Sequence, residues 1–88
     1  SLSRLEMRAH LSVNECVDMT AVLNHVADTL SPLAAGLDVT IERHLPDRPV
    51  NVTGTRDELI QVFQNLVENA CKYGQGGKRV ILKLDEEN

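Results

Sequence analysis

The sequence predicts an α+β fold built from two main helices and four short strands. Apolar residues recur at helical spacing over 19–35, and a second amphipathic pattern covers 56–73. Residues 39–43 alternate between apolar and polar side chains, as a half-buried strand does. A chain of 88 residues can bury one small core, so we expect a single domain.

Capping residues bound the first helix. Asp18 precedes the periodic pattern and is a good N-cap residue, so the helix is predicted over 19–35. Pro32 falls late in this segment, where we expect it to kink the helix or restart it. Gly36 is predicted to end the helix.

Turn and capping signals place the other elements. In chain order we predict a helix stub over 2–9, strands over 12–17, 39–43, 50–53 and 79–84, and a loop over 45–49. Thr55 and Glu58 have the spacing of a capping box, which predicts that the second helix begins between them. Because Glu58 has this local role, it is left out of any proposed site.

The second helix divides into two faces. At roughly 100° per residue, the following polar residues lie within about 40° of one line: Glu58, Gln61, Asn65, Asn69 and Lys72. The opposite side is predicted to face the core and carries Leu59, Ile60, Phe63, Leu66, Val67, Ala70 and Cys71. The polar strip therefore holds the amides of two Asn residues and an ammonium group.

Such a strip is usually the solvated side of an amphipathic helix. Asn, however, is a poor residue for a helix interior, because its amide competes for backbone hydrogen bonds. Here Asn65 and Asn69 occupy nearly the same angular position. This repetition indicates a site that could hold a metal ion and a polyphosphate, although the helical wheel does not identify the ligand.

The motif Asn65-Leu66-x-x-Asn69-Ala70-x-Lys72-Tyr73 resembles the N-box of bacterial sensor histidine kinases, in their ATP-binding domain of the Bergerat (gyrase, Hsp90, kinase, MutL) type. Residues 2–6 look like the end of the dimerisation domain's second helix. Residues 17–19 look like the entry to the ATP domain, and 52–62 like the strand and helix start before the N-box. Gln75-Gly76-Gly77 resembles the phosphate-regulon sensor branch.

This resemblance implies a two-layer α/β sandwich with a mixed sheet of short strands. Residues 1–10 would be the end of a dimerisation-domain helix and its linker. Residues 11–88 would be the N-terminal part of the ATP-binding domain, ending before the adenine-binding box. The parent protein would bind Mg-ATP and transfer the γ-phosphoryl group to a His outside this chain.

The resemblance also implies roles for four residues. Asn69 would coordinate Mg²⁺, Asn65 would face the phosphates or a metal-bound water, Lys72 would contact phosphate, and Tyr73 would lie against the base or sugar. Hydrolytic members of the superfamily carry a Glu at the position of Asn65. Because a neutral amide is a poor general base, Asn65 favours transfer to a protein over hydrolysis.

Other family features are missing from the sequence. No residue among His10, His25 and His44 has the His-Glu/Asp-x-x-Thr/Asn-Pro setting of a phosphoacceptor, so each is predicted to be a surface or half-buried structural histidine. No Asp-x-Gly-x-Gly adenine box or second Gly-rich box occurs. We therefore expect no catalytic residue here, an inactive isolated chain, and a shallow, solvent-open strip whose ATP affinity is at best about millimolar.

Composition excludes several classes of function. The net charge of −4 provides no electrostatic basis for contact with nucleic acid or an anionic membrane surface. No apolar run predicts a membrane span or a signal peptide, so this segment is expected to be cytoplasmic, although the parent could be anchored in the bacterial inner membrane. Cys16 and Cys71 lie in apolar patterns without metal-ligand spacing, and are predicted to be buried free thiols in a reducing compartment.

The expected partners are the parent kinase's dimerisation domain and a cognate response regulator. The chain is also expected to form a homo-oligomer, because a strand at 79–84 without its downstream neighbours would expose an edge. Two alternatives stay open. One is a small interaction module whose Asn strip is only surface, and the other is a related ATP domain of an anti-sigma-factor kinase or a hydrolytic ATPase.

Overall fold

The computed structural model describes residues 15–73 and 79–85. The elements are β1 (Glu15–Asp18), α1 (Met19–Gly36), β2 (Thr40–His44), β3 (Asn51–Gly54), α2 (Arg56–Tyr73) and β4 (Arg79–Lys83). Where the predicted residues are described, these bounds agree with the predicted elements to within one or two residues. Several predicted features lie outside the described residues: the 2–9 helix stub, His10, the strand start at 12–14 and the Gly74–Gly77 turn. Helix α1 includes Pro32 without restarting.

The strands form two separate two-stranded sheets. β1 and β3 pair in antiparallel orientation, with Val17 opposite Val52. β2 and β4 pair in parallel orientation, with Ile41 opposite Val80. A parallel pair requires a crossover connection, which β3 and α2 provide. The predicted α+β class is confirmed. One mixed sheet was expected, whereas among the described strands the antiparallel pair and the parallel pair form separate sheets.

Asp18 ties the start of α1 to β3. Its backbone is extended (φ −81°, ψ 104°), and its Oδ1 accepts hydrogen bonds from the backbone N–H groups of Thr20 at 3.0 Å and Ala21 at 3.4 Å. The same oxygen accepts a third bond from Val50 N–H at 3.3 Å, while Met19 N–H donates to the Val50 carbonyl at 2.8 Å. The predicted N-cap is confirmed, and it also fixes the loop that leads into β3.

The end of α1 has a left-handed residue that is not glycine. The helix ends at Gly36, as predicted, but the residue with positive φ is Asp38, at 58°. Asp38 N–H donates to the Ala35 carbonyl at 3.2 Å, and Val39 N–H donates to the Ala34 carbonyl at 2.9 Å. These two bonds are those of a Schellman motif, in which the left-handed position usually carries Gly.

The core lies between α1 and α2. Val22 and Val26 of α1 and Cys71 of α2 are fully buried. The buried cluster consists of Val17, Met19, Val22, Leu23, Val26, Leu30, Ala34, Val39, Val67 and Cys71. Half-buried apolar side chains of β2 and β4, including Ile41, Val80 and Leu82, pack against it. One side of the β2–β4 sheet thus covers the helices, and the other side is open to solvent.

Three side chains predicted to be buried are exposed. Leu66 is 58% exposed and Ala70 is exposed, because both lie at the edge of α2's apolar face, beyond its buried centre. Cys16 is exposed because side chains alternate along β1, so that Val17 faces the core and Cys16 faces outwards. The prediction of a buried free thiol is confirmed for Cys71 alone.

Candidate functional site

Helix α2 presents its predicted polar strip to solvent. Val67 and Cys71 are 4% and 0% exposed and hold one side of the helix against α1. Asn65 and Asn69 project roughly 160° from those positions around the helix axis. Both are exposed, as is Lys72. The structure therefore brings the three predicted polar residues together on one accessible strip.

The two amides keep their hydrogen-bonding capacity for a ligand. Asn65 and Asn69 are one helical turn apart on the exposed side of α2. No hydrogen bond joins either side chain to another of the described residues. Each amide supplies a carbonyl oxygen that can accept from water or coordinate a cation, and an NH₂ group that can donate to a phosphate oxygen.

Lys72 is held in place by an acidic neighbour on the same helix. Its Nζ donates to Glu68 Oε2 at 2.8 Å, in an i,i+4 ion pair. This hydrogen bond, with the nearby Glu68 charge, raises the pKa of Lys72 above its ordinary value of 10.5. Both side chains are about half exposed, and exposed pairs of this kind contribute little net free energy. Lys72 is therefore cationic at neutral pH.

Tyr73 is the last residue of α2 and is 86% exposed. Its ring lies on the surface beside the amide strip, one turn beyond Asn69. An exposed aromatic ring at the end of a polar strip provides a flat surface for stacking. This position agrees with the predicted contact between Tyr73 and a base or sugar, but it does not test that contact.

The donor set suits a magnesium–polyphosphate ligand better than a bare metal ion. Among the described residues, no cluster of three or more His, Cys, Asp or Glu side chains could hold a metal. A cation at Asn69 would therefore take most of its oxygen ligands from water or from the ligand itself. Mg²⁺ binds in this way, through one or two protein oxygens together with substrate phosphates. The amides and the ammonium group are therefore of the chemical types that a magnesium-bound phosphate group requires.

An apolar cleft lies beside the polar strip. Its volume is about 270 Å³, and it is lined by Leu23, Phe63, Leu66, Val67, Ala70 and residues 80–83 of β4. Leu66 and Ala70 thus separate the strip from the cleft. The expected exposure of the strip to solvent is confirmed, and the wall of the neighbouring cleft is hydrophobic.

The described histidines are on the surface, as predicted. His25 is exposed on α1, and His44 is exposed on β2, where its Nε2 lies 2.5 Å from Glu42 Oε2. Glu42 Oε1 also accepts a hydrogen bond from Arg79 of β4 at 3.1 Å. The hydrogen bond with His44, assisted by the charge of Arg79, lowers the pKa of Glu42. This cluster crosses from β2 to β4 on the open side of the sheet, so it has a structural role.

Glu68 is the residue of the strip that the sequence reasoning missed. Its carboxylate is the partner of Lys72, and it adds negative charge beside the two amides. The spacing of four residues between a Glu and a following Lys on one helix would have predicted this pair.

Comparisons with known proteins find sensor kinases among the relatives of this chain. No protein-family model matches the chain. It is 30% identical over 79 residues to the sensor protein kinase WalK of Staphylococcus haemolyticus, and 29% identical over 79 residues to WalK of Staphylococcus aureus. Each alignment covers 90% of this chain. The fold matches the mycobacterial sensor histidine kinase MprB with a TM-score of 0.74 at 28% identity, over 86% of this chain.

The chain is homologous to sensor histidine kinases over most of its length. It spans 13% of the Staphylococcus haemolyticus protein, 19% of the Staphylococcus aureus protein and 48% of the MprB chain. The structural match confirms the predicted α+β fold as that of a part of a sensor histidine kinase. None of the described helices is long and apolar enough to cross a membrane.

Proposed function

We propose that this chain is part of the Bergerat-type ATP-binding domain of a two-component sensor histidine kinase and that α2 carries its N-box. The observation that carries the proposal is the exposed strip of Asn65, Asn69 and Lys72, in the spacing of that motif. Similarity to sensor kinases over 90% of the chain supports it, because the strip lies within a fold that matches MprB. The phosphate-regulon resemblance, at residues outside the described part, stays a prediction.

The strip would hold Mg-ATP through complementary groups. The Asn69 amide oxygen would bind the metal, and Asn65 would bind a phosphate oxygen or a metal-bound water. Lys72 would leave Glu68 for a phosphate, and Tyr73 would lie against the base or sugar. Bound Mg²⁺ would neutralise negative charge on the phosphates. Phosphoryl transfer depends on positioning and charge neutralisation more than on covalent catalysis by the protein.

Transfer to a histidine outside the chain is the reaction that this strip favours. The Asn65 amide cannot take a proton from water, so the position at which a hydrolytic ATPase carries its general base holds no base in this chain. His25 and His44 are exposed but lack the sequence setting of an acceptor. The partners would be the dimerisation domain that carries the acceptor and a response regulator, on the cytoplasmic side of the membrane.

A titration with Mg-ATP, followed by the NMR signals of the chain, tests the binding role. We expect a dissociation constant of about 1 mM, equivalent to roughly −4 kcal/mol, with the largest shifts at residues 65–73. Asn69→Ala should weaken binding by about tenfold, or roughly 1.4 kcal/mol, without changing the fold, because Asn69 is exposed. Asn51→Ala, an exposed amide on β3, is the matched control and should leave the affinity unchanged.

Two results would contradict the proposal. One is an absence of shifts at saturating Mg-ATP, and the other is equal binding by the Asn69→Ala and wild-type chains.

Incubation with γ-labelled ATP supplies an independent check. The isolated chain should neither retain label nor release phosphate above a boiled control, since no acceptor histidine is identified in it.

A further inference from the structure

Helix α2 carries an acidic side chain beside the two amides. Glu68 immediately precedes Asn69, and 41% of its side chain is exposed. At 100° per residue it lies about 60° from Asn65 around the helix, and along the axis it lies between Asn65 and Asn69. A phosphate bound by the two amides would therefore lie close to a carboxylate, which repels it.

Glu68 also cancels the positive charge of the strip. Lys72 Nζ donates to Glu68 Oε2 at 2.8 Å. From residue 61 to residue 73 these are the charged side chains of the sequence, so this part of α2 has no net charge. An exposed ion pair contributes little to stability, but it weakens the field that would draw a polyphosphate to Lys72.

The position of the strip on α2 adds a second source of negative potential. The helix ends at Tyr73, so Lys72 lies in its last turn and Asn69 directly before that turn. The carbonyl groups at the end of a helix carry a partial negative charge, which favours cations and disfavours anions. A metal ion at Asn69 would therefore be stabilised at a place where a bare phosphate would be repelled.

We propose that Glu68 makes this strip selective for phosphates that carry a bound divalent cation over metal-free phosphates. The inference rests on the proposed Mg-ATP site and concerns its selectivity. Because Mg²⁺ cancels part of the phosphate charge, Glu68 and the helix end repel Mg-ATP less than they repel metal-free ATP. A metal-free polyphosphate that reaches Lys72 must also displace the Glu68 carboxylate, and it brings no cation to compensate that carboxylate.

NMR titrations with Mg-ATP, and with ATP in the presence of EDTA, test the selectivity at constant ionic strength. The wild-type chain should bind metal-free ATP at least about tenfold more weakly than Mg-ATP. Glu68→Gln keeps nearly the same shape without the charge. It should tighten the binding of metal-free ATP by about tenfold and that of Mg-ATP by at most about threefold, so the selectivity falls.

A charge-matched variant on the same helix is the control. Asp57→Asn changes the net charge by the same amount at an exposed position, about 16 Å from Glu68 along the axis and beyond the screening length of about 8 Å at physiological salt. It should leave both affinities unchanged. The effect of Glu68→Gln should also shrink as the salt concentration rises, because salt screens charge but does not alter shape.

The outcomes separate this inference from the proposed function. Equal selectivity in the wild-type and Glu68→Gln chains, or an effect of Glu68→Gln that salt does not reduce, would overturn this inference alone. Weaker binding of Mg-ATP by Glu68→Gln would also overturn it, since Glu68 would then assist the metal. Failure of both chains to bind Mg-ATP would overturn the proposed nucleotide site and the selectivity together.

Discussion

Replacing Asp18 by Ala should lower the free energy of unfolding by about 2 kcal/mol. The substitution removes the acceptor for two N–H groups in the first turn of α1, and the loss of such a cap costs about 1 kcal/mol. It also leaves the N–H of buried Val50 without its 3.3 Å bond, which costs about 1 kcal/mol more. Asp18→Asn keeps an acceptor oxygen in the same place and should cost much less.

Urea denaturation, followed by circular dichroism, measures this difference. For a domain of this size the free energy of unfolding falls by about 1 kcal/mol per molar urea, so the midpoint should move by about 2 M in Asp18→Ala. The Asn variant should remain near the wild-type midpoint. A midpoint shift below about 0.5 M in the Ala variant, or equal shifts in the two variants, would refute the role of the carboxylate oxygen as a shared acceptor.

Three further predictions follow from particular side chains. Asp38→Gly should stabilise the chain by about 0.5–1 kcal/mol in the same urea assay, because Gly adopts positive φ without strain; a loss of stability would contradict this. A thiol reagent should label the native chain at exposed Cys16 but not at Cys71, because Cys71 is buried and burial raises the pKa of its thiol. Rapid labelling of both thiols would contradict the burial of Cys71 in the core. The hydrogen bond with His44 lowers the pKa of Glu42 in the folded state below 4.5. The ionised Glu42 carboxylate therefore stabilises the fold above pH 4.5, and this stabilisation is lost as the pH falls through the folded-state pKa. The difference in free energy of unfolding between wild type and Glu42→Gln should shrink as the pH falls in this way.

The sequence was sufficient where local chemistry decides structure. Helix α2 was predicted with the observed bounds of 56–73, because its periodicity and polar start are both clear. Asp18 was identified as an N-cap because few residue types suit that position. The polar strip followed from helix geometry alone.

The sequence was insufficient where distant elements decide. A helical wheel does not show which flank of α2 another element covers, so Leu66 and Ala70 were placed in the core although both are exposed. The wheel likewise gives no sign that the β2–β4 pair is parallel, since that register joins segments far apart in the chain. Gly36 was predicted to end α1, and the helix does end there, but the residue with positive φ is Asp38.

The most direct test of the proposed nucleotide site is paramagnetic broadening by Mn²⁺-ATP, with Mn²⁺ in place of Mg²⁺. The side-chain amide signals of Asn65 and Asn69 should broaden first, while those of Asn24 on α1 and Asn51 on β3 persist. The effect should weaken by about tenfold in Asn69→Ala, in line with its lower affinity, and should be absent with Mn²⁺ alone, because the described strip offers too few ligands for a bare ion. Uniform broadening, or stronger broadening at Asn24 or Asn51 than at the strip, would contradict the assignment of α2 as the Mg-ATP site.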